Sequence, residues 1–129
     1  HDIAIPIGAI PRYVEDAQRV LPGMLVGVRL QVFGHLGDGN LHFNLVRPTA
    51  MNREDFLERV GPLTAYVHDE AVRAGGTVSP EHGVGQSKVD DLARYRSGAE
   101  QALMATIKQA LDPAGIMNPG KVIAAPWRA

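Results

Sequence analysis

Residues 30–45, LQVFGHLGDGNLHFNL, predict a β-hairpin. Apolar residues recur at alternate positions on both sides of Gly37–Asn40, and this glycine-rich segment is a dense turn signal. We therefore expect a strand over Leu25–His35 and a returning strand over Leu41–Arg47. The hairpin decides the fold because it supplies two adjacent antiparallel strands to which the remaining elements can be added.

The register of this hairpin predicts two chemically different faces. If residues 37–40 form the loop, Leu36 pairs with Leu41 and His35 lies directly opposite His42. The apolar face then comprises Leu30, Val32, Gly34, Leu41, Phe43 and Leu45, and the polar face comprises Gln31, His35, His42 and Asn44. Cross-strand partners have Cβ atoms about 4.5–5.5 Å apart, which would let two imidazoles bind one metal ion. Spacing alone is equally compatible with a pair of surface histidines.

The strand and helix signals on either side of the hairpin favour an α+β fold. A β-branched run at Ile3–Ile7 predicts a short edge strand, because Pro6 cannot donate a hydrogen bond to a sheet. A further short strand is expected at Thr77–Ser79. With the helices between them, the order β-α-β-β-α-β-α favours an antiparallel, ferredoxin-like sheet with helices on one face, followed by a C-terminal helix and a tail.

Two helix starts carry capping signals. Asn52 predicts the start of a helix that reaches about Ala74, and Pro62 inside it predicts a kink or a restart. We expect His68 on the exposed side of this helix. Ser97 predicts the start of a later helix, because Glu100 follows it at capping-box spacing.

The composition excludes several classes of function. The chain has 129 residues, a net charge of −1 and 45% hydrophobic residues, which fit one globular domain without the basic surface that nucleic acids or anionic membranes require. The absence of cysteine excludes disulfides, zinc fingers and thiol chemistry. Without a signal-peptide pattern or a long apolar run, we expect a cytoplasmic location. The start at His1 without a methionine favours a piece of a longer protein.

A second group of polar residues follows the last predicted strand, in the sequence SPEHGVG at residues 79–85. Glu81 and His82 would be costly to bury unpaired, so we expect a loop in which they act as ligand, acid or base, or a simple exposed turn. Adjacent residues of an extended chain point to opposite sides. If Glu81 and His82 act at one pocket, we expect a non-extended turn, bent at Gly83 and Gly85, that lets both side chains reach it. With the hairpin, two histidines and a carboxylate are typical of open metal sites.

Three motifs together resemble the C-terminal region of FAD-linked 2-hydroxyacid oxidoreductases. They are residues 34–44, residues 81–85, and the segment from Asp112-Pro113 to Asn118-Pro119-Gly120-Lys121. The family includes D-lactate dehydrogenases, the flavin subunit of glycolate oxidase and D-2-hydroxyglutarate dehydrogenase. The opening Asp2-Ile3-Ala4-Ile5-Pro6 resembles the last of these most.

The resemblance implies roles for individual residues. It implies a divalent metal, usually zinc, with His35, His42 and Glu81 as ligands. Asn44 resembles a substrate-binding residue. His82 resembles both a substrate-binding residue and the catalytic base that takes the 2-hydroxyl proton while hydride leaves C2 for the flavin. A neutral imidazole, with an ordinary pKa of about 6.5, is a competent base for this step.

The resemblance also implies what lies outside the substrate site. FAD would be held mainly by an upstream domain of the same chain, with Asn118 and Lys121 of the tail near its isoalloxazine. Residues 1–129 would then be a single domain, with the substrate-binding sheet and helices in 1–95 and the C-terminal helix and tail in 96–129. The partners implied are a small 2-hydroxyacid and an electron acceptor of unspecified identity, and a homodimer is an option. The chain alone would be inactive.

Two functions from other classes are alternatives. A free-standing zinc hydrolase could use the same ligands to activate water, but it would need a complete pocket within 129 residues. A non-catalytic ferredoxin-like module could bind a ligand without turning it over. An FAD-binding domain upstream of His1 would favour the oxidoreductase over both.

Overall fold

The structure is a computed structural model, and it describes residues 1–124. The chain forms two compact units, His1–His82 and a second unit that begins at Gly83. The subdivision expected at residues 95 and 96 stays a prediction, and the end of the predicted tail, residues 125–129, lies outside the described residues. Among the helices of residues 1–124, none has the length and apolar character needed to cross a membrane.

The first unit is built on a four-stranded antiparallel sheet. Its strands are β1 (Asp2–Ala4), β2 (Arg29–His35), β3 (Asn40–Val46) and β4 (Thr77–Val78), in the order β2-β3-β1-β4. This arrangement confirms the predicted α+β fold. The prediction of an edge strand at residues 3–7 is wrong, because β1 pairs with both β3 and β4. β1 ends before Pro6, so the proline does not interrupt a ladder.

Two helices cover one face of this sheet. Helix α1 (Ile10–Met24) follows a 3₁₀ turn at Ile7–Ala9, and helix α2 (Arg53–Arg73) begins at Asn52, whose side chain accepts from the Asp55 N–H as its capping signal predicts. Helix α2 is continuous through Pro62. The shared core comprises Ile3, Ile5, Tyr13, Ala17, Leu21, Leu25, Val28, Leu41, Phe43, Leu63, Val67 and Ala71.

The observed hairpin register differs from the predicted one by two residues. Phe33 pairs with His42, Gly34 with Leu41, and His35 with Asn40. The loop is Leu36–Gly39, because Leu36–Asp38 form a 3₁₀ turn that closes on Gly39 in a left-handed conformation with φ of 67°. Since side chains alternate with a period of two, a two-residue slip leaves every residue on its predicted face. The faces were therefore predicted correctly, although the opposition of His35 and His42 was not.

His68 is buried rather than exposed. It follows Val67 of the buried stripe of α2, and its Nε2 atom lies 3.2 Å from Nδ1 of His1. The two rings meet edge to face, with centroids 5.0 Å apart. The His68 imidazole can be buried in this apolar stripe because its Nε2 atom has a polar partner, Nδ1 of His1.

The described part of the second unit, residues 83–124, contains the helices α3 (Val89–Tyr95) and α4 (Gly98–Leu111). The capping box at Ser97 is present as predicted, with hydrogen bonds in both directions between Ser97 and Glu100. No sequence signal predicted α3, which has only seven residues. After α4, the buried carboxylate of Asp112 accepts the backbone N–H groups of Ile116 and Met117, which turns the chain back.

Candidate metal centre and neighbouring histidine

Three side chains from the hairpin and the Glu81 loop form one cluster on the face of the sheet opposite the helices. Each of His35, His42 and Glu81 offers a ligand atom, and these atoms all lie within 4.8 Å of one another. Glu81 Oε2 is 3.7 Å from His42 Nε2 and 4.0 Å from His35 Nδ1. The three predicted metal ligands are therefore brought together. The cluster is open on one side, because the side chains of His35 and Glu81 are about half exposed.

The two histidines approach each other diagonally across the hairpin. His35 lies opposite Asn40, and His42 lies opposite Phe33, yet the rings of His35 and His42 are only 5.7 Å apart and nearly perpendicular. Diagonal neighbours on one face are within reach of long and aromatic side chains. Phe33 lies on the polar face as well, with its ring 5.3 Å from that of His42. A cluster at this site does not require the direct opposition that the predicted register assumed.

The Glu81-His82 segment leaves the sheet as a turn, as expected. Ser79 adopts a left-handed conformation with φ of 54°, and Gly83 follows with φ of 70°. The turn directs both Glu81 and His82 toward His42: the His82 ring stacks on the His42 ring at 5.1 Å and 6°. The His42 imidazole of β3 therefore lies close to both the Glu81 carboxylate and the His82 ring.

Asp2 is the site residue that sequence reasoning missed. Its buried carboxylate accepts the backbone N–H groups of Glu81 and His82 at 3.1 Å and 2.7 Å. Burial alone would raise the pKa of Asp2, but the hydrogen bonds it accepts, first of all from the His82 N–H, hold that pKa below its ordinary value of 3.8. The available signal was an acidic residue that opens an apolar strand, where an unpaired charge would be costly.

Asn40 completes the surroundings of Asp2. Its Nδ2 group donates to Asp2 Oδ1 at 2.7 Å and to the Ile3 carbonyl at 3.2 Å. The sequence pattern assigned Asn40 to the loop, whereas it begins β3 and is buried. Its Oδ1 atom is buried without a hydrogen-bond partner among the described residues.

Asn44, the predicted substrate-binding residue, lies two positions beyond His42 on the same face of β3 and opposite Gln31. Two residues of a strand span about 7 Å. Asn44 is partly exposed. This placement is compatible with contact to a small molecule held at the histidines.

Asn118 and Lys121, the predicted cofactor-binding residues, belong to the second unit. Together with residues of α4 they line a largely apolar pocket of about 470 Å³. Lys121 Nζ donates to Gln86 Oε1 at 2.5 Å, and Asn118 has a left-handed backbone with φ of 47°. The two residues therefore share one pocket, which is built entirely from the second unit.

Comparisons with known proteins match nearly the whole chain. A sequence profile of the family "FAD linked oxidases, C-terminal domain" matches residues 1–122. The chain is 37% identical over 125 residues to a D-2-hydroxyglutarate dehydrogenase of Stutzerimonas stutzeri, covering 97% of this chain and 27% of that protein. It is 37% identical over 121 residues to a D-lactate dehydrogenase of Anaerostipes hadrus, covering 94% and 25%. It is 38% identical over 97 residues to the glycolate oxidase subunit GlcD of Bacillus subtilis, covering 75% and 20%.

Proposed function

This chain belongs to the family of C-terminal domains of FAD-linked oxidases, and on that premise we propose that it forms the substrate side of an enzyme that oxidises a D-2-hydroxyacid to a 2-oxoacid. It spans about a quarter of the length of the relatives it matches. The observation that carries the proposal is the cluster of His35, His42 and Glu81 with His82 stacked on His42.

The cluster has the donor set of a divalent-metal site. Two imidazoles and one carboxylate are a ligand set of open, catalytic metal centres, and the ligand atoms of His35, His42 and Glu81 are already close together. A divalent ion held there, zinc by preference, would act as a Lewis acid on the 2-hydroxyl and carboxylate of the substrate and lower the pKa of the hydroxyl. With a divalent cation bound, two neutral histidines and one carboxylate would leave the ion and its ligands with a net positive charge, which favours an anionic hydroxyacid.

His82 is the proposed base. Its ring stacks on His42 and is half exposed, so it borders the open side of the cluster without being one of the three proposed ligands. In this role His82 takes the proton of the 2-hydroxyl while the C2 hydrogen leaves as hydride. Asn44, farther along the same face of β3, would hydrogen-bond the substrate and help to orient it.

FAD would accept the hydride, and it would be held mainly by another domain of the longer protein. Within residues 1–124 all neighbouring strands are antiparallel, so their sheet lacks the adjacent parallel strands that bind a dinucleotide in doubly wound folds. Asn118 and Lys121 would contribute contacts near the flavin from the pocket that they share. The cytoplasmic location and a homodimer stay predictions.

The test uses the longer protein that contains this chain, loaded with FAD. We expect it to reduce a dye with D-2-hydroxyglutarate or D-lactate, and we expect His82→Asn to lower kcat by about 10²–10⁴-fold while metal content and substrate binding persist. The 129-residue chain mixed with FAD and D-2-hydroxyglutarate serves as the control, and we expect neither flavin bleaching nor product from it.

Three results would contradict this proposal. Loss of metal in His82→Asn would make His82 a ligand rather than the base. A near-normal kcat in that variant would show that the proton goes elsewhere. Hydrolysis of an ester or amide by the metal-loaded chain, with no oxidation of any 2-hydroxyacid by the longer protein, would favour the zinc hydrolase.

A further inference from the structure

We propose that Asp2 is a positioning residue of this site: it holds the Ser79–His82 turn so that Glu81 and His82 both face His42. The inference rests on the proposed function, because it concerns the same metal centre and base. Asp2 touches no substrate in this account and acts through the two residues that it orients.

Asp2 accepts every backbone N–H group of the turn. The N–H of Ser79 donates to the Asp2 carbonyl at 2.7 Å, and Pro80 has no N–H. The N–H groups of Glu81 and His82 both donate to Asp2 Oδ2, at 3.1 Å and 2.7 Å. A single residue of β1 therefore accepts the three backbone N–H groups of this four-residue turn.

Asp2 also fixes the turn relative to the hairpin. It pairs with His42 across β1 and β3, so it shares that strand position with the histidine that Glu81 and His82 contact. Its other oxygen, Oδ1, accepts Nδ2 of Asn40 at 2.7 Å, which ties the carboxylate to the start of β3. The carboxylate thus connects the two elements that supply the proposed ligands.

Within residues 1–124, the hydrogen bonds to Asp2 hold the backbone of this turn more firmly than packing holds its side chains. The side chains of Glu81 and His82 are 45% and 56% exposed, so packing restrains them weakly. Ser79 is a non-glycine residue in the left-handed region, a conformation that persists only where surrounding contacts enforce it. Without the Asp2 carboxylate, we expect the turn to relax and Glu81 to leave His42.

Asp2 could instead be a ligand, because Asp2, His42 and His82 form a second group whose ligand atoms lie within 4.8 Å. The hydrogen bonds favour the positioning role: the Asp2 carboxylate already accepts three N–H groups, and its Oδ2 lies 3.6 Å from Nδ1 of His82. At 3.6 Å the carboxylate does not hydrogen-bond the His82 ring, so it acts on His82 through the backbone N–H.

The experiment compares Asp2→Asn with Asp112→Asn in the 129-residue chain. Asp112 is a matched control, since it is an equally buried carboxylate that accepts two backbone N–H groups of a turn and one side-chain nitrogen. An asparagine at either position keeps the shape but presents an NH₂ group to donors. The readouts are amide hydrogen exchange, titration with Zn²⁺, and the visible spectrum of the Co²⁺-substituted chain.

We expect Asp2→Asn to speed exchange of the Glu81 and His82 amides by about tenfold to 100-fold, with the Leu41 amide of the sheet unchanged. We also expect it to weaken Zn²⁺ binding by about 10–100-fold, the range for partners that orient metal ligands, with the Co²⁺ spectrum retained at saturation. Asp112→Asn should change none of these. If Asp2→Asn does not fold, Asp2→Glu, which keeps the charge but moves the oxygens, gives the same comparison.

Each contrary result is distinct. Unchanged exchange at Glu81 and His82 overturns the inference, as does equal Zn²⁺ affinity in wild type and Asp2→Asn. Complete loss of binding or an altered Co²⁺ spectrum in Asp2→Asn makes Asp2 a ligand and also overturns it. A wild-type chain that binds no Zn²⁺ contradicts the proposed metal centre instead, and the exchange data alone then decide whether Asp2 holds the turn.

Discussion

Asp2 and Asp112 use the same local device in two regions of the molecule. Each is buried, and each accepts the N–H groups of two consecutive residues of a turn, at 2.7–3.1 Å for Asp2 and at 3.0 Å for Asp112. The turns differ in what they present. Asp2 directs Glu81 and His82 toward a histidine, whereas the turn held by Asp112 carries the exposed apolar side chains of residues 116 and 117.

The third partner of each carboxylate also differs. Asp112 accepts the ammonium of Lys108 at 2.6 Å, and this pair is the main reason that the pKa of Asp112 lies below its ordinary value of 3.8. The third donor to Asp2 is the neutral amide of Asn40, and the Asp2 carboxylate lies 3.6 Å from Nδ1 of His82. The comparison teaches that a buried carboxylate at a turn is a structural device, and that the residues on the turn decide whether it serves chemistry.

The two turns also differ in how the apolar side chains of their units are packed. The first unit packs its apolar residues into one core, with Phe43 fully buried on the face of β3 opposite His42. In the second unit, the apolar side chains of α4 are largely exposed, and they include Leu103, Ile107 and Leu111. The hairpin that carries the proposed metal site is therefore packed against the apolar core on its other face. The pocket of Asn118 and Lys121, by contrast, is lined by apolar side chains that remain exposed.

The largest expected difference concerns stability. We expect Phe43→Ala to lower the free energy of unfolding by about 3–5 kcal/mol, because it leaves a cavity in the core. Leu111→Ala is the matched change in the second unit, and since Leu111 is 76% exposed we expect an effect within about 0.5 kcal/mol. Urea unfolding followed by circular dichroism measures both. Equal losses would break the contrast between the two units.

A smaller effect concerns acid. The hydrogen bond from Lys108, opposed by burial and aided by the N–H groups of Met117 and Ile116, lowers the pKa of Asp112. A carboxyl with a depressed folded-state pKa stabilises the fold above its unfolded-state pKa, and this contribution is lost as the pH falls through the folded-state value. We expect the amide shifts of Ile116 and Met117 to be constant at neutral pH and to titrate in acid with a midpoint below 3.8.

The control for this titration is Asp112→Asn, which should abolish the change in both amide shifts. A midpoint above 3.8 in the wild-type chain would show that the carboxylate is not stabilised by its partners. In that case Asp112 would differ from Asp2 in its electrostatics as well as in the residues on its turn.

Local patterns were sufficient to predict the two faces of the hairpin and one helix start in each unit. Alternation identified the apolar and polar faces of the hairpin, and the capping residues Asn52 and Ser97 identified two helix starts. The register was not predictable, because it depends on where the 3₁₀ turn at Leu36–Asp38 closes and on the pairing of Asn40 with Ala4 of a distant strand. Alternation cannot distinguish two registers that differ by two residues.

Long-range partners explain the remaining differences. Asp2 accepts hydrogen bonds from Glu81 and His82, which lie 79 and 80 positions later in the sequence. His68 contacts His1, which lies 67 positions earlier. Neither pair leaves a periodic signal, so sequence reasoning overlooked Asp2 and placed His68 on the exposed side. The grouping of His35, His42 and Glu81 was predictable because two are on one hairpin face and the third follows a strand of the same sheet.

The most direct test of the central claim is the zinc stoichiometry of the chain, measured by elemental analysis after saturation with Zn²⁺ and removal of excess ion. We predict one zinc per wild-type chain and per Asp112→Asn chain. In His42→Ala we predict less zinc per chain, because removal of a ligand weakens Zn²⁺ binding by more than the roughly 100-fold that is lost with a residue that only orients a ligand. His42 is the most buried of the three proposed ligands and contacts both Glu81 and His82. Equal zinc content in wild type and His42→Ala would contradict the account.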